Sequence, residues 1–209
     1  MDGRVKPGHD SLISWRYRTS SPDELETTIN TSITPADILT FWRTAGPDKW
    51  YAKDDAFDQE LRDRFMALWE AGRDGKLSAW QDTDDGALAL VIVLDQFPRN
   101  MFRGDPGMFS TDASALAVST RAIAEGRDKR IDPALLAFLY LPFEHSEDLA
   151  DQERSIELFT PLGEDSLKWA VLHADIIRKF GRFPHRNTVL GRTTTPDESA
   201  FLDEGGFKG

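Results

Sequence analysis

Two stretches of the chain, LDQFPRNMFRG (residues 94–104) and FGRFPHRNTVLGR (residues 180–192), read almost as copies of one another. Each places Phe-Pro, then arginine and asparagine, straight after an apolar, helix-like run. Arginine forks grip carboxylate or phosphate in a bidentate way, so the repeated turn is suited to anions. Asp95, Gln96, Arg99, Asn100 and Arg103 come from the first copy; Arg186, Asn187 and Arg192 come from the second. A third stretch, LPFEHSED (141–148), adds Glu147 and a second kind of chemistry. A histidine beside carboxylates is tuned for proton transfer near neutral pH. His145 and His185 are the candidates for that role, with Glu144 as the orienting carboxylate.

Each piece also has an ordinary structural role. Ser146-Glu147-Asp148 makes a good helix N-cap with acids in the first turn. Asp95 and Arg99, four residues apart, can pair across the proline. His173 lies mid-helix among apolar residues and reads as a hydrogen-bonded core histidine. Arg186 and Asn187 can cap the helix ends that their turn exposes. The stronger argument is convergence, and that depends on the elements carrying the turns.

Those elements read as helices throughout. TPADILTFWRTAG opens with Thr34 as N-cap and Pro35 at the first helical position, and Gly46-Pro47 stops it. Phe57, Leu61, Phe65, Leu68 and Trp69 recur at helical spacing, with Gly72 and Gly75 at the end. DTDDGALALVIVLDQF is apolar all round and has no strand-like partner, so a buried helix is expected there. A helix opening at Thr111 or Asp112 runs to Gly126, and another runs from Asp132-Pro133 to a stop at Pro142. The next places Leu149, Gln152, Ile156 and Phe159 on one side. A helix at 164–180 and a short one after Thr195-Pro196 complete the series. The expectation is an all-α fold of seven to eight antiparallel helices spanning residues 34–204 as one domain. Residues 1–33, rich in Gly, Pro, Ser and Thr, read as a loosely ordered tail whose opening MDGRVKPGHD leaves the translation start open.

Short loops make successive helices antiparallel, and an even number of them returns the chain to the same end. Counting from FWRTAGPDKWYAKD (41–54), two helices lead to each following turn. All four proline-bearing turns are therefore expected at one end, where Trp50, Tyr51 and Lys53 join the arginines and histidines.

Composition removes several alternatives. The 209 residues carry a net charge of −11, which disfavours nucleic acid and anionic membranes as partners. Zero cysteines exclude disulfides, thiol catalysis and cysteine-ligated metals. Apolar runs such as ALALVIVL are far below the ~20 residues of a membrane helix. With no apolar leader in view, a cytoplasmic address is expected. No phosphate loop, dinucleotide fingerprint, nucleophile elbow or His-Glu-x-x-His occurs. Glu144, His145, Glu147 and His173 match no di-iron spacing, so neither metal nor cofactor is assigned.

ILTFWRTAGPDKWYAKDDAFD, LDQFPRNMFRG, LPFEHSED and FGRFPHRNTVLGRTTTPDESAFL together resemble the bacterial "domain of unknown function 924" family, from Ile38 to Leu202. Arg43 and Tyr51 stand where that family usually has phenylalanine, and Asp197 where it usually has glutamate. The resemblance implies an all-helical fold of stacked, tetratricopeptide-like hairpins, and it implies no activity. Two functions fit the residues. One is a helical scaffold whose polar end binds a small anionic ligand or a protein segment. The other is a hydrolase of a phosphorylated or carboxylated metabolite, with a histidine as acid–base group and arginines stabilising charge.

Overall fold

Thr34 opens the first helix by closing a capping box: its hydroxyl accepts from the Asp37 amide at 3.3 Å, and the Asp37 carboxylate accepts from the Thr34 amide at 2.8 Å. The computed structural model describes residues 33–208, so the expected tail lies outside the described residues except for Ile33. Helix α1 (Pro35–Ala45) is followed by a single turn, α2 (Pro47–Trp50), and by the long α3 (Asp55–Arg73). Then come α4 (Asp84–Val91), α5 (Phe97–Met101), α6 (Asp112–Ala124), α7 (Leu136–His145), α8 (Leu149–Phe159), α9 (Glu164–Phe180) and α10 (Pro196–Asp203). Among the described residues there is no strand, and the fold is all-α. The two segments beyond the expected eight are the one-turn α2 and the division of one expected helix into α4 and α5.

The apolar run forms the centre, as a helix. Every residue from Gly86 to Phe97 is buried, and α4 packs against α1, α6 and α7. Trp42, Phe97, Phe138, Ile38 and Leu61 fill the space around it. Gly86 permits the close approach of the preceding turn, because a Cβ there would strike the Trp80 carbonyl. Onward from α6, neighbours in sequence are neighbours in space: α6 on α7, α7 on α8, α8 on α9. A smaller cluster of Ile176, Ile177 and Phe183, with Phe180, Phe201 and Phe207, ties α9 to α10.

Between α4 and α5 the helix widens into one π-turn, Ile92–Gln96, closed by the Phe97 amide donating to the Ile92 carbonyl. Pro98 explains it. Proline has no N–H for the Leu94 carbonyl and its ring crowds that position, so the ladder must open. Three carbonyls along this stretch accept from side chains. Thr111 Oγ1 donates to Leu94 O, Arg99 Nη1 to Asp95 O at 2.9 Å, and Asn100 Nδ2 to Gln96 O at 3.2 Å.

Three local expectations are corrected. Pro142 does not end α7 but lies inside it, and the helix runs on to His145. Proline removes one interior bond there, while the carbonyls beyond it gain outside donors: Gln152 Nε2 reaches those of Phe143, Glu144 and Ser146, and Arg186 Nη2 reaches that of His145. Asp148, not Ser146, caps α8, accepting from the Ala150 and Asp151 amides. Leu149 is exposed, whereas its supposed companion Gln152 is fully buried by its role at the end of α7.

Candidate functional site

The π-turn, the last turn of α7 and a 3-10 turn at Pro184–Arg186 meet at one end of the fold. His145 Nδ1 lies 2.8 Å from Asp95 Oδ1, across fifty positions of sequence. Arg99 Nη2 is 3.5 Å from the same oxygen, and the Arg99 fork grips Asp112 at 2.8 and 3.2 Å. Arg186 Nη1 stands 3.7 Å from Asp112 Oδ2, and its guanidinium is held between the Phe109 and Phe183 rings at 4.6 and 4.5 Å. Asp95, Arg99, His145 and Arg186 thus form one contiguous cluster.

Glu144 faces the other way. Its Oε1 is 3.4 Å from His173 Nδ1, which donates to the Trp169 carbonyl at 2.8 Å. The carboxylate orienting His145 is therefore Asp95, and not Glu144 as the sequence suggested. His173 is hydrogen-bonded in the interior, as expected of it, yet it also adjoins this cluster. His185 lies on the same side, its ring 5.6 Å from that of Phe183.

Several expected anion-binding residues are instead closed against protein partners. Arg103 grips the buried Asp58 at 2.8 and 3.0 Å and also donates to Asn100 Oδ1 at 3.0 Å. Gln96 Nε2 donates to Asp95 Oδ2. Arg192 grips Glu147 at 2.7 and 3.0 Å, and Glu147 Oε1 also accepts from the Phe183 amide at 2.8 Å. Asn187 Nδ2 donates to Glu198 Oε2 at 3.1 Å. Lys53 pairs with Asp55 on the open surface. Asp112 and Phe109 are the cluster members that sequence reasoning missed. Asp112 reads as an ordinary first-turn acid, and only the fold shows two arginines converging on it.

Burial sets the protonation states. Burial alone would raise Asp95, but the Arg99 charge, then His145 through charge and hydrogen bond, then Gln96, outweigh it and hold the carboxyl at about 2. Burial, and then Arg99, lower His145. Arg99 is therefore the leading cation that keeps Asp95 ionised. Glu144 is 5% exposed; burial, then Asp95, push it up to about 8. Burial likewise carries His173 and His185 down to about 4. Arg186 falls to about 10 through burial and Arg99, and stays charged at neutral pH. Neighbouring carboxyls driven in opposite directions are the arrangement that acid–base chemistry uses.

Polar atoms are left over at this end. The buried side-chain atoms without a hydrogen-bond partner among the described residues include Glu144 Oε2, His185 Nδ1, Arg186 Nε, Asn187 Oδ1 and Arg192 Nε. A separate hollow of about 490 Å³ lies against α1, α2 and α3, lined in part by Phe41, Lys49, Phe57, Glu60 and Arg64. Its cations are already matched, Arg64 with Glu60 and Lys49 with Asp54. Volume favours that hollow; the unmatched chemistry belongs to the rim, and the rim is the better candidate.

Residues 38–206, which include every residue of the rim, match the family described as a bacterial protein of unknown function (DUF924). The chain belongs to this family. The solved structure of a protein of unknown function from Agrobacterium tumefaciens is similar, at 47% identity and a TM-score of 0.80. The match covers 82% of this chain and 97% of that one. Among curated proteins, no relative matches the chain significantly. Among the described residues, no helix is long and apolar enough to cross a membrane, and no group of three or more metal-ligating side chains occurs.

Proposed function

We propose that the rim between the end of α7 and the Pro184–Arg186 turn binds a small molecule carrying a carboxylate or phosphate. The observation that carries this reading is Arg186, whose buried Nε has no hydrogen-bond partner, with His185, whose Nδ1 is likewise unpaired, on the other side of the Phe183 ring. Buried polar groups are almost always paired, and an unpaired buried guanidinium nitrogen calls for an outside partner. Arg186 supplies the charge. It alone among the rim arginines grips no carboxylate with two nitrogens, having one contact to a carbonyl and one distant carboxylate. A peptide would enter by the same chemistry, through an acidic side chain or terminal carboxylate.

The test is thermal unfolding against a panel of carboxylates and phosphates, with Arg186→Met in parallel. A ligand held at about 100 times its dissociation constant stabilises by roughly 2.7 kcal/mol, a visible shift of the melting curve. Arg186→Met should abolish the shift. A panel that leaves the parent protein's melting temperature unmoved would overturn the reading.

The hydrolase alternative rests on one contact, His145 Nδ1 to Asp95 Oδ1. Donation to Asp95 fixes the tautomer and leaves Nε2 as the basic nitrogen. Turnover of a ligand found in the panel, lost in a folded His145→Gln protein, would establish it.

A further inference from the structure

Beyond α10 the chain turns back on itself. Gly205, at φ +92°, ends the helix, and the Gly206 amide donates to the Phe201 carbonyl at 2.9 Å, the six-to-one bond of a Schellman turn. That turn is tight: a Cβ on Gly206 would meet the Phe201 carbonyl and ring. Past it, Phe207 packs on the Ile176, Ile177 and Phe183 cluster and against three further rings. Its centroid lies 4.6 Å from the His173 ring, 5.2 Å from the His185 ring and 6.3 Å from that of Trp169, the first two edge-on. These rings form a slot. Trp169 is 46% exposed, so one wall faces solvent.

The slot adjoins the anion site through a single ring. Phe183 is 5.4 Å from His173 and 5.6 Å from His185 on one side, and 4.5 Å from the Arg186 guanidinium on the other. His185, a wall of the slot, carries the unmatched Nδ1. Both imidazoles are neutral at physiological pH because burial holds them near 4, so the slot is uncharged and edge-to-face contacts set its preference.

We infer that the slot formed by Trp169, His173 and His185 is the specificity pocket of the rim, that it takes a flat aromatic ring, and that Phe207 is a built-in occupant which the ligand displaces. The ligand class is then an aromatic acid: a ring in the slot, a short spacer past Phe183, and a carboxylate or phosphate on Arg186. This inference rests on the proposed anion site and adds the ring. Phe207 competes with any such ligand, because both use the same faces of His173 and His185.

The probes are 3-phenylpropionate and propionate, titrated calorimetrically into the parent protein, Phe207→Ala and Arg186→Met. The expected result is that Phe207→Ala binds 3-phenylpropionate about tenfold more tightly than the parent, at the low end of what burying a phenyl ring is worth. Propionate should gain nothing from Phe207→Ala, and Arg186→Met should weaken both acids. A chain ending after Gly206 should behave as Phe207→Ala does, which separates an emptied slot from a disturbed α10. If the parent and both Phe207 variants bind 3-phenylpropionate equally while Arg186→Met still weakens it, the slot is overturned and the anion site stands. If no protein binds either acid, both fall together.

Discussion

The two Phe-Pro-arginine turns share letters and almost nothing else. The first lies in the body of a helix, where Pro98 forces a π-turn and the Leu94, Asp95 and Gln96 carbonyls accept from side chains. Its arginines are closed: Arg99 on Asp112 and Asp95, Arg103 on Asp58. The second lies past a helix end, where Gly181 at φ +69° stops α9 and a 3-10 turn follows. There Arg182 grips Glu198 and Arg192 grips Glu147, but Arg186 receives no bidentate partner. Residue type does not separate a structural arginine from an available one. The carboxylate opposite it does.

The sharpest way to break this comparison is to truncate one arginine of the first turn. Arg99→Ala would leave Asp95, wholly buried, without the leading cation that holds it ionised, and would release Asp112. Removing one partner of a buried pair costs about 3 to 5 kcal/mol, and the π-turn also loses a donor to the Asp95 carbonyl. Urea unfolding should show a loss of at least about 3 kcal/mol with the slope unchanged. A loss under about 1 kcal/mol would mean that the first turn is no better tied than the second.

Acid and base sensitivity sharpen the contrast at Glu144, which lies between the two turns. Its folded value is about 8 against an ordinary 4.5, so the folded state keeps a proton that the unfolded state gives up. Its contribution is fully present below 4.5 and is lost as pH rises through 8. His173 and His185, held at about 4 against 6.5, act oppositely: their contribution is present above 6.5 and is lost as pH falls through 4. Between pH 6.5 and 8 only Glu144 of these groups is still changing. Stability should therefore fall across that window by about 1 to 2 kcal/mol, and Glu144→Gln should flatten the fall. An unchanged slope in Glu144→Gln would show that this carboxyl is already ionised.

Most of the fold was legible because caps and apolar spacing are local. Thr34-Pro35 and Thr195-Pro196 start helices as their types demand, and a run with no strand to pair with had to be a helix. The parity of short-looped helices also accounts for three of the turns, at 94–104, 141–148 and 180–192, meeting at one end. What could not be read was how each charge is matched. Asp58 and Arg103 are forty-five positions apart, Glu147 and Arg192 likewise, and no spacing rule links them. Pro142 misled for a related reason: its helix continues because Gln152 and Arg186, from elsewhere, satisfy the carbonyls beyond it. Glu144 and His145 consequently lie on a helix turn and face different partners, Glu144 towards His173 and His145 towards Asp95.

The smallest expected stability effect tests the comparison from the other side. Arg186→Met keeps an apolar stem between Phe109 and Phe183 and removes a charge that its surroundings only half compensate. One hydrogen bond to the His145 carbonyl is lost, worth about 1 kcal/mol. Relief of burying an under-matched guanidinium offsets part of that. The melting temperature should therefore stay close to the parent's, while the response to anionic ligands disappears. A collapse like that expected of Arg99→Ala would identify Arg186 as the cap of α7 and nothing more, and the two turns would be alike after all.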